Sequence, residues 1–422
     1  MPGASPAAKA ATVLGSTEQG ARPRLAEEER ALLRRCDAPW FSAIVAGAAA
    51  LAVVLARLSV AARGNIGSFV IAGNTYANPR LVPRGVPVGA GNGYDGQFYY
   101  RMALDPLDFA RRAFGIRLDT LSRLERIGYP ALSWLAAAGH AAAVPAALVA
   151  VNVLALALLG LAGGLLAHQS GRHAAWGLVL PGYWGYQWTL ARDLTEIVAA
   201  AFLVLGLVAI RAERWWLAAG ALSVGVLTKE TVVIAVAVFG ILRLAEILGL
   251  GGAGGRRGFG AKDAPWVVSG VVFVTWQAVV ASSTGKLPLL DASGHNLGIP
   301  FQGLVSALGH YLGELPATAA ALWCGELALL GLLSIAAAST WRASTAERHE
   351  RFAWLAFVVL IVCLASGIWR GAVGFRSLDD IYLFGCIIFF FGTRSMHRAA
   401  NVLAGLVSIA WLVVAVELVL FR

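Results

Sequence analysis

Two kinds of ionisable residue stand out in this chain by where they sit. One is a lone carboxylate, Asp95, in the string GYDGQFYYRMALDP (93–106). The other is a set of paired charges beside apolar runs: Arg192-Asp193 with Glu196, Lys229-Glu230, and Arg370 and Arg376 followed by Asp379-Asp380. A carboxylate can take a proton from a hydroxyl, and a preplaced arginine or lysine can balance a growing negative charge. Ionisable groups within or beside apolar spans are costly and usually mark function. Plainer readings stay open beside this one. Asp-Gly is a common turn dipeptide, and charges at helix ends also snorkel or neutralise one another.

The elements that must position these residues are membrane helices. Of 422 residues, 58% are hydrophobic and 14% charged, where soluble domains average roughly 25% charged. Mean hydropathy is +0.70, and 48 glycines spread through apolar runs suit closely packed membrane helices. The net charge of +10 does not indicate nucleic acid as a partner. The 34 lysines and arginines are scattered between apolar runs, not gathered into a stripe. Cys36, Cys324, Cys363 and Cys386 have neither metal-ligand spacing nor a disulfide framework. Disorder, collagen and small secreted domains are excluded by the same composition.

A spanning helix takes roughly 20 mostly apolar residues. Apolar runs at 41–56, 146–167, 174–188, 197–210, 216–227, 232–248, 266–281, 317–338, 354–368, 381–391 and 402–420 predict eleven spans in an all-α polytopic membrane protein. Residues 1–39 read as a cytoplasmic N-terminal segment and 40–422 as one transmembrane domain. The first run lies too far from the start for a cleaved signal peptide, so it reads as an uncleaved anchor. With the N-terminus inside, the inner segments hold 18 lysines and arginines and the outer ones 6, leaving out the long first loop. That excess predicts N-in, C-out.

Two outer loops are large, 57–145 and 282–316. Each has a stretch with helical apolar spacing: Phe114, Leu118, Leu121 and Leu124 in the first, and Phe301, Leu304, Val305, Leu308, Tyr311 and Leu312 in the second. Such helices lie along the membrane surface or pack on the bundle. Within the first loop, Asp95 stands just ahead of an amphipathic stretch, 97–104, that Asp105-Pro106 should end. Helix length adds a depth argument. Lys229 lies 15 residues beyond Arg214, roughly 22 Å at 1.5 Å per residue, short of a hydrocarbon core of about 30 Å. Lys229 and Glu230 are therefore expected in a polar cavity recessed below the outer surface.

An acidic residue in the first outer loop, an aromatic-rich helix after it, and charged helix ends on the same side resemble the GT-C superfamily of polyprenyl-phosphate-sugar-dependent membrane glycosyltransferases. YDGQFYY (94–100) is similar to the Trp-Asp-Gly-x-Trp-Tyr type cluster of GPI-mannosyltransferase-like members. LTKETVVI (227–234) and the Arg-Ile-Gly-Tyr-Pro run (126–130) resemble segments of bacterial members linked to cell-surface glycopolymers.

The resemblance implies a GT-C-like bundle in a bacterial inner membrane. It implies an inverting hexosyl- or pentosyltransferase acting on the extracytoplasmic face. The partners it implies are a polyprenyl-phosphate-sugar donor, a glycan or glycolipid acceptor, and membrane lipids. Asp95 is then the candidate general base. Lys229, Arg192, Arg376, Arg101 and Arg126 are candidate partners of the lipid phosphate, and Tyr94, Gln97, Tyr100, Asp193, Glu230, Asp379 and Asp380 candidate substrate-positioning residues. No cofactor is expected. YDGQ carries one Asp and not a pair, and His295 and His310 lack partners at metal spacing. The alternatives are a flippase for a lipid-linked glycan, which should show repeated halves and charges at the midplane, or a surface-polysaccharide polymerase or ligase.

Overall fold

The computed structural model describes residues 37–250, 258–290, 296–370, 373–392 and 397–420. His295 and most of the N-terminal segment, 1–36, lie outside the described residues. The described residues are 72% helical with almost no sheet, as the composition predicts. The helices are α1 Pro39–Val60, α2 Gly96–Leu104, α3 Gly128–Ala136, α4 Val144–Gln169, α5 Gly185–Leu190, α6 Glu196–Arg211, α7 Trp215–Thr228 and α8 Val232–Ile247. They continue with α9 Ala264–Thr284, α10 Gln302–Gly313, α11 Ala317–Thr340, α12 Arg348–Val362, α13 Ser366–Arg370, α14 Asp379–Cys386 and α15 His397–Leu420.

Five helical stretches among the described residues are long and apolar enough to cross a membrane: Pro39–Val60, Ala141–Gln169, Ala261–Thr284, Ala317–Thr340 and Arg398–Leu420. They cover five of the eleven predicted runs. The other six fall on shorter elements. The run at 174–188 breaks into a 3-10 turn, Ala174–Val179, and the six-residue α5. Those at 197–210, 216–227 and 232–248 become helices of 16, 14 and 16 residues. At about 1.5 Å per residue these reach roughly 21–24 Å. The runs at 354–368 and 381–391 each divide between two elements.

Packing follows from residue size. α1 lies along α4, where Gly160 lets the backbones meet; a Cβ there would stand 2.5 Å from the Ser42 carbonyl oxygen. This is the small-residue contact that membrane helices use in place of hydrophobic exclusion. α14 is apolar all round after its first two residues and runs on as a π-turn, Ile387–Phe391. Every residue from Asp379 to Phe391 is buried, as such a sequence requires. α11 and α12 pack on α14, and α12 also packs on α8.

The first loop departs from its expected form. Phe114, Leu118, Leu121 and Leu124 do not share a helix. Phe114 and Gly115 both take positive φ and reverse the chain, so Arg112–Ala113 pairs antiparallel with Ile116–Arg117. A 3-10 turn, Leu121–Glu125, follows. Ile116, Leu118 and Leu124 are buried within the protein, and Phe114 is exposed. The loop is a built cap, not a surface-lying helix. Its α2 has the expected extent and ends at Asp105. In the second loop the expected helix exists as α10, with Phe301, Val305, Leu308 and Leu312 exposed.

Candidate functional site

Two glycines seat the first loop on the charged turns. Gly96, directly after Asp95, lies so close to the Arg192 backbone that a Cβ would stand 2.2 Å from its carbonyl oxygen. Gly128, directly ahead of Tyr129-Pro130, lies against Thr228, where a Cβ would stand 2.3 Å from the hydroxyl. Only a residue without a side chain allows either approach. Through these contacts the first loop meets both the α5–α6 turn and the α7–α8 turn.

Between them lies a cavity of about 870 Å³. Four cationic side chains line it, Arg123, Arg126, Lys229 and Arg376, with five acidic ones, Asp95, Asp119, Glu196, Glu230 and Asp380. Its apolar lining comes from the sides of α8, α9 and α12, through Val233, Ile234, Phe273, Phe357 and Leu360.

Asp95 sits between two guanidinium groups. Arg123 Nη2 donates to its Oδ1 at 2.9 Å, and Arg376 Nη2 donates to its Oδ2 at 3.0 Å. Arg123 is also bound to Asp119, Nε to Oδ1 at 3.1 Å and Nη2 to Oδ2 at 2.9 Å, and lies over the Phe98 ring. Arg376 is also bonded to Glu196 and donates from Nε to the Tyr94 hydroxyl at 3.1 Å. Burial by itself would raise the Asp95 carboxyl. The charges of Arg123 and Arg376 overcome that and hold it down to about 2, so it stays ionised at any working pH.

Two further ion pairs complete the polar lining. Arg126 holds Glu230 with two bonds, 2.7 and 2.5 Å, and donates to the Tyr99 hydroxyl at 3.0 Å. Lys229 donates to Asp379 Oδ1 at 2.5 Å and lies 3.7 Å from Asp380 Oδ2. The two aspartates open α14, where a helix N-terminus favours negative charge. Lys229 is 4% exposed.

The expected residues thus divide. Asp95, Tyr94, Arg126, Lys229, Glu230, Arg376 and Asp380 line one cavity. Asp379 is one bond behind it, through Lys229. Arg192 stands behind the lining, its guanidinium over the rings of Trp188 and Tyr94. Four others serve the loop or the bundle interior. Gln97 accepts from Gly73 N and donates to Asn92 O, closing the glycine-rich turn. Arg101 is spent on the carbonyls of Asp108 and Ala110. Tyr100 is buried in the core. Asp193 is buried with φ at +51°, away from the lining. Arg370, one of the paired charges beside apolar runs, binds the Ser306 hydroxyl of α10 at 2.8 Å.

Sequence reasoning passed over Arg123, Asp119 and, as a site residue, Glu196. The signal for the first two was present: Asp119 and Arg123 stand four residues apart, the spacing of an intrahelical ion pair. Among the described residues, no group of three or more His, Cys, Asp or Glu is placed to hold a metal ion. Comparison with known protein families, curated proteins and solved structures finds no match to this chain.

Proposed function

We propose that the protein is an inverting, GT-C-like glycosyltransferase that moves a sugar from a polyprenyl phosphate to a cell-envelope glycan or lipid. The observation that carries this reading is the position of Asp95. It is an ionised carboxylate held by Arg123 and Arg376 at the wall of a cavity that also has an extended apolar lining. An amphiphile with one anionic group needs both surfaces. The acceptor hydroxyl oxygen bonds to the anomeric carbon, and its proton passes to Asp95. The bond from that carbon to the phosphate oxygen breaks, and its electron pair stays on the lipid phosphate, which the guanidinium groups stabilise. Lys229, with Asp379 and Asp380, supports the wall through which Glu230 reaches Arg126.

In the same reading the shorter helices also traverse the bilayer, giving eleven spans with the N-terminus cytoplasmic and the cavity on the extracytoplasmic side of a bacterial inner membrane. The paired charges at that end of short helices, and the excess of lysine and arginine on the other side, support this orientation. Incubating purified protein with a panel of polyprenyl-phosphate sugars tests the activity. Release of lipid phosphate together with sugar transfer is expected. Movement of intact donor across a vesicle membrane without cleavage would favour a flippase instead.

A further inference from the structure

The cavity presents an electrostatic problem to the donor proposed above. Its four lining cations are already engaged: Arg123 with Asp95 and Asp119, Arg126 with Glu230, Lys229 with Asp379, and Arg376 with Asp95 and Glu196. Five acidic side chains line the cavity against those four, so there is no surplus of positive charge to draw an anion in. A phosphate entering this wall must take the place of a carboxylate already there.

The geometry singles out which one leaves. Glu230 is held by two bonds to one guanidinium. The Lys229–Asp379 pair is almost sealed, with side chains 5% and 1% exposed. Asp95 takes a single bond from each of two arginines, through Nη2 in both cases, and is 19% exposed at its side chain. Both arginines keep a second carboxylate when Asp95 departs. Arg123 stays anchored bidentately on Asp119, and Arg376 stays on Glu196. Two fixed guanidinium groups that grip one anion between them form a ready phosphate clamp, and Asp95 occupies it.

We propose that donor binding is an ion-pair exchange, in which the lipid phosphate displaces the Asp95 carboxylate from Arg123 and Arg376. The proposal rests on the glycosyltransferase reading and adds to it Arg123 as a donor-binding residue and Asp95 as an internal competitor. The exchange also couples binding to chemistry. While paired with both arginines, Asp95 is too well stabilised to take a proton. Released beside a new anion, it becomes the stronger base. The base is therefore armed only when the donor is in place, which protects against premature activation of water or acceptor.

The test is binding of undecaprenyl phosphate to purified wild-type, Asp95→Asn, Asp119→Asn and Arg123→Gln proteins in detergent, with inorganic phosphate as a second probe. Exchange predicts that Asp95→Asn binds undecaprenyl phosphate about tenfold more tightly than wild type, about 1.4 kcal/mol, although its turnover is strongly reduced. Asp119→Asn gains less than threefold, and Arg123→Gln loses at least tenfold. Equal affinities for wild type and Asp95→Asn, or a gain in Asp119→Asn as large as that in Asp95→Asn, would overturn the exchange while leaving the glycosyltransferase reading in place. Wild-type protein that binds inorganic phosphate as well as undecaprenyl phosphate, or that binds neither, would overturn both. Tightening in Asp95→Asn also shows that this variant is folded.

Discussion

The two ends of helices α6, α8 and α12 handle buried charge in opposite ways. At one end, Glu196, Glu230 and the last turn of α12 border a cavity, and arginines are shared between carboxylates from distant parts of the chain. At the other end, Arg211 of α6 pairs bidentately with Glu350 of α12, Nε to Oε1 at 2.7 Å, and Glu350 is fully buried. Glu350 also caps its own helix through the Glu347 backbone N–H, and Arg243 of α8 is tied to Asp263 at 3.1 Å. Arg243 is also paired with Glu246, one turn away on its own helix, and none of these residues lines the cavity of about 870 Å³. Burial is common to both ends. An adjoining cavity, with arginines shared between carboxylates far apart in the chain, separates an arrangement that can exchange ligands from one that only holds helices together.

If that contrast is right, substitutions at the two ends should fail differently. Asp95→Asn should lower turnover by about 10²–10⁴-fold, the range of a lost general base, with near-normal expression and thermal stability. A turnover assay at saturating donor, run beside a melting curve, checks this. Glu350→Gln should do the reverse. It leaves Arg211 without its charge partner in the interior and should cost about 3–5 kcal/mol of stability. Whatever protein remains folded should keep wild-type donor affinity, measurable by comparing melting temperature with donor binding. An equal loss of donor affinity in Glu350→Gln would erase the distinction between the two ends.

Gly128→Ala probes the contact that joins the first loop to the α7–α8 turn. The added methyl meets the Thr228 hydroxyl and backbone nitrogen, and overpacking of this kind costs about 1–3 kcal/mol. Because it separates Arg126 from Glu230, turnover should fall more than stability does, and the ratio of the two effects is the readout. The smallest effect concerns Glu125. Burial and the nearby Glu230 charge push its carboxyl up to about 7, with Gln277 donating to it at 3.1 Å. The folded protein then keeps a proton that the unfolded chain releases near 4.5. Stability should be highest below that value and decline as pH rises from about 4.5 to about 7. Glu125→Gln should remove this slope, as melting temperatures across that range would record.

Several elements were legible before the fold was known because their signals are local. The five long apolar helices, the extent of α2 and the amphipathic α10 follow from length and periodicity. The paired charges beside short apolar runs likewise pointed to a polar cavity, and Lys229, Glu230 and Arg376 do line one. What spacing cannot carry is partner choice across the chain. Asp95 and Arg376 are 281 residues apart, and no pattern in either neighbourhood names the other. Arg101 follows Tyr99-Tyr100 in the amphipathic stretch and so drew attention, while Arg123, in a run without aromatics, did not. They differ because α2 is buried on every side, which turns Arg101 onto the carbonyls of 108 and 110, whereas the 3-10 turn presents Arg123 to the cavity. The first-loop cap was missed because its reversal depends on positive φ at Phe114, a backbone state rare for a bulky residue.

One measurement reaches the central claim most directly: the stoichiometry and stereochemistry of a single turnover by wild-type protein on a polyprenyl-phosphate sugar labelled at the anomeric carbon. Direct displacement assisted by one carboxylate gives one lipid phosphate released per sugar transferred, with the anomeric configuration inverted in the product. Labelled donor recovered intact, or product that retains the donor configuration, would contradict it.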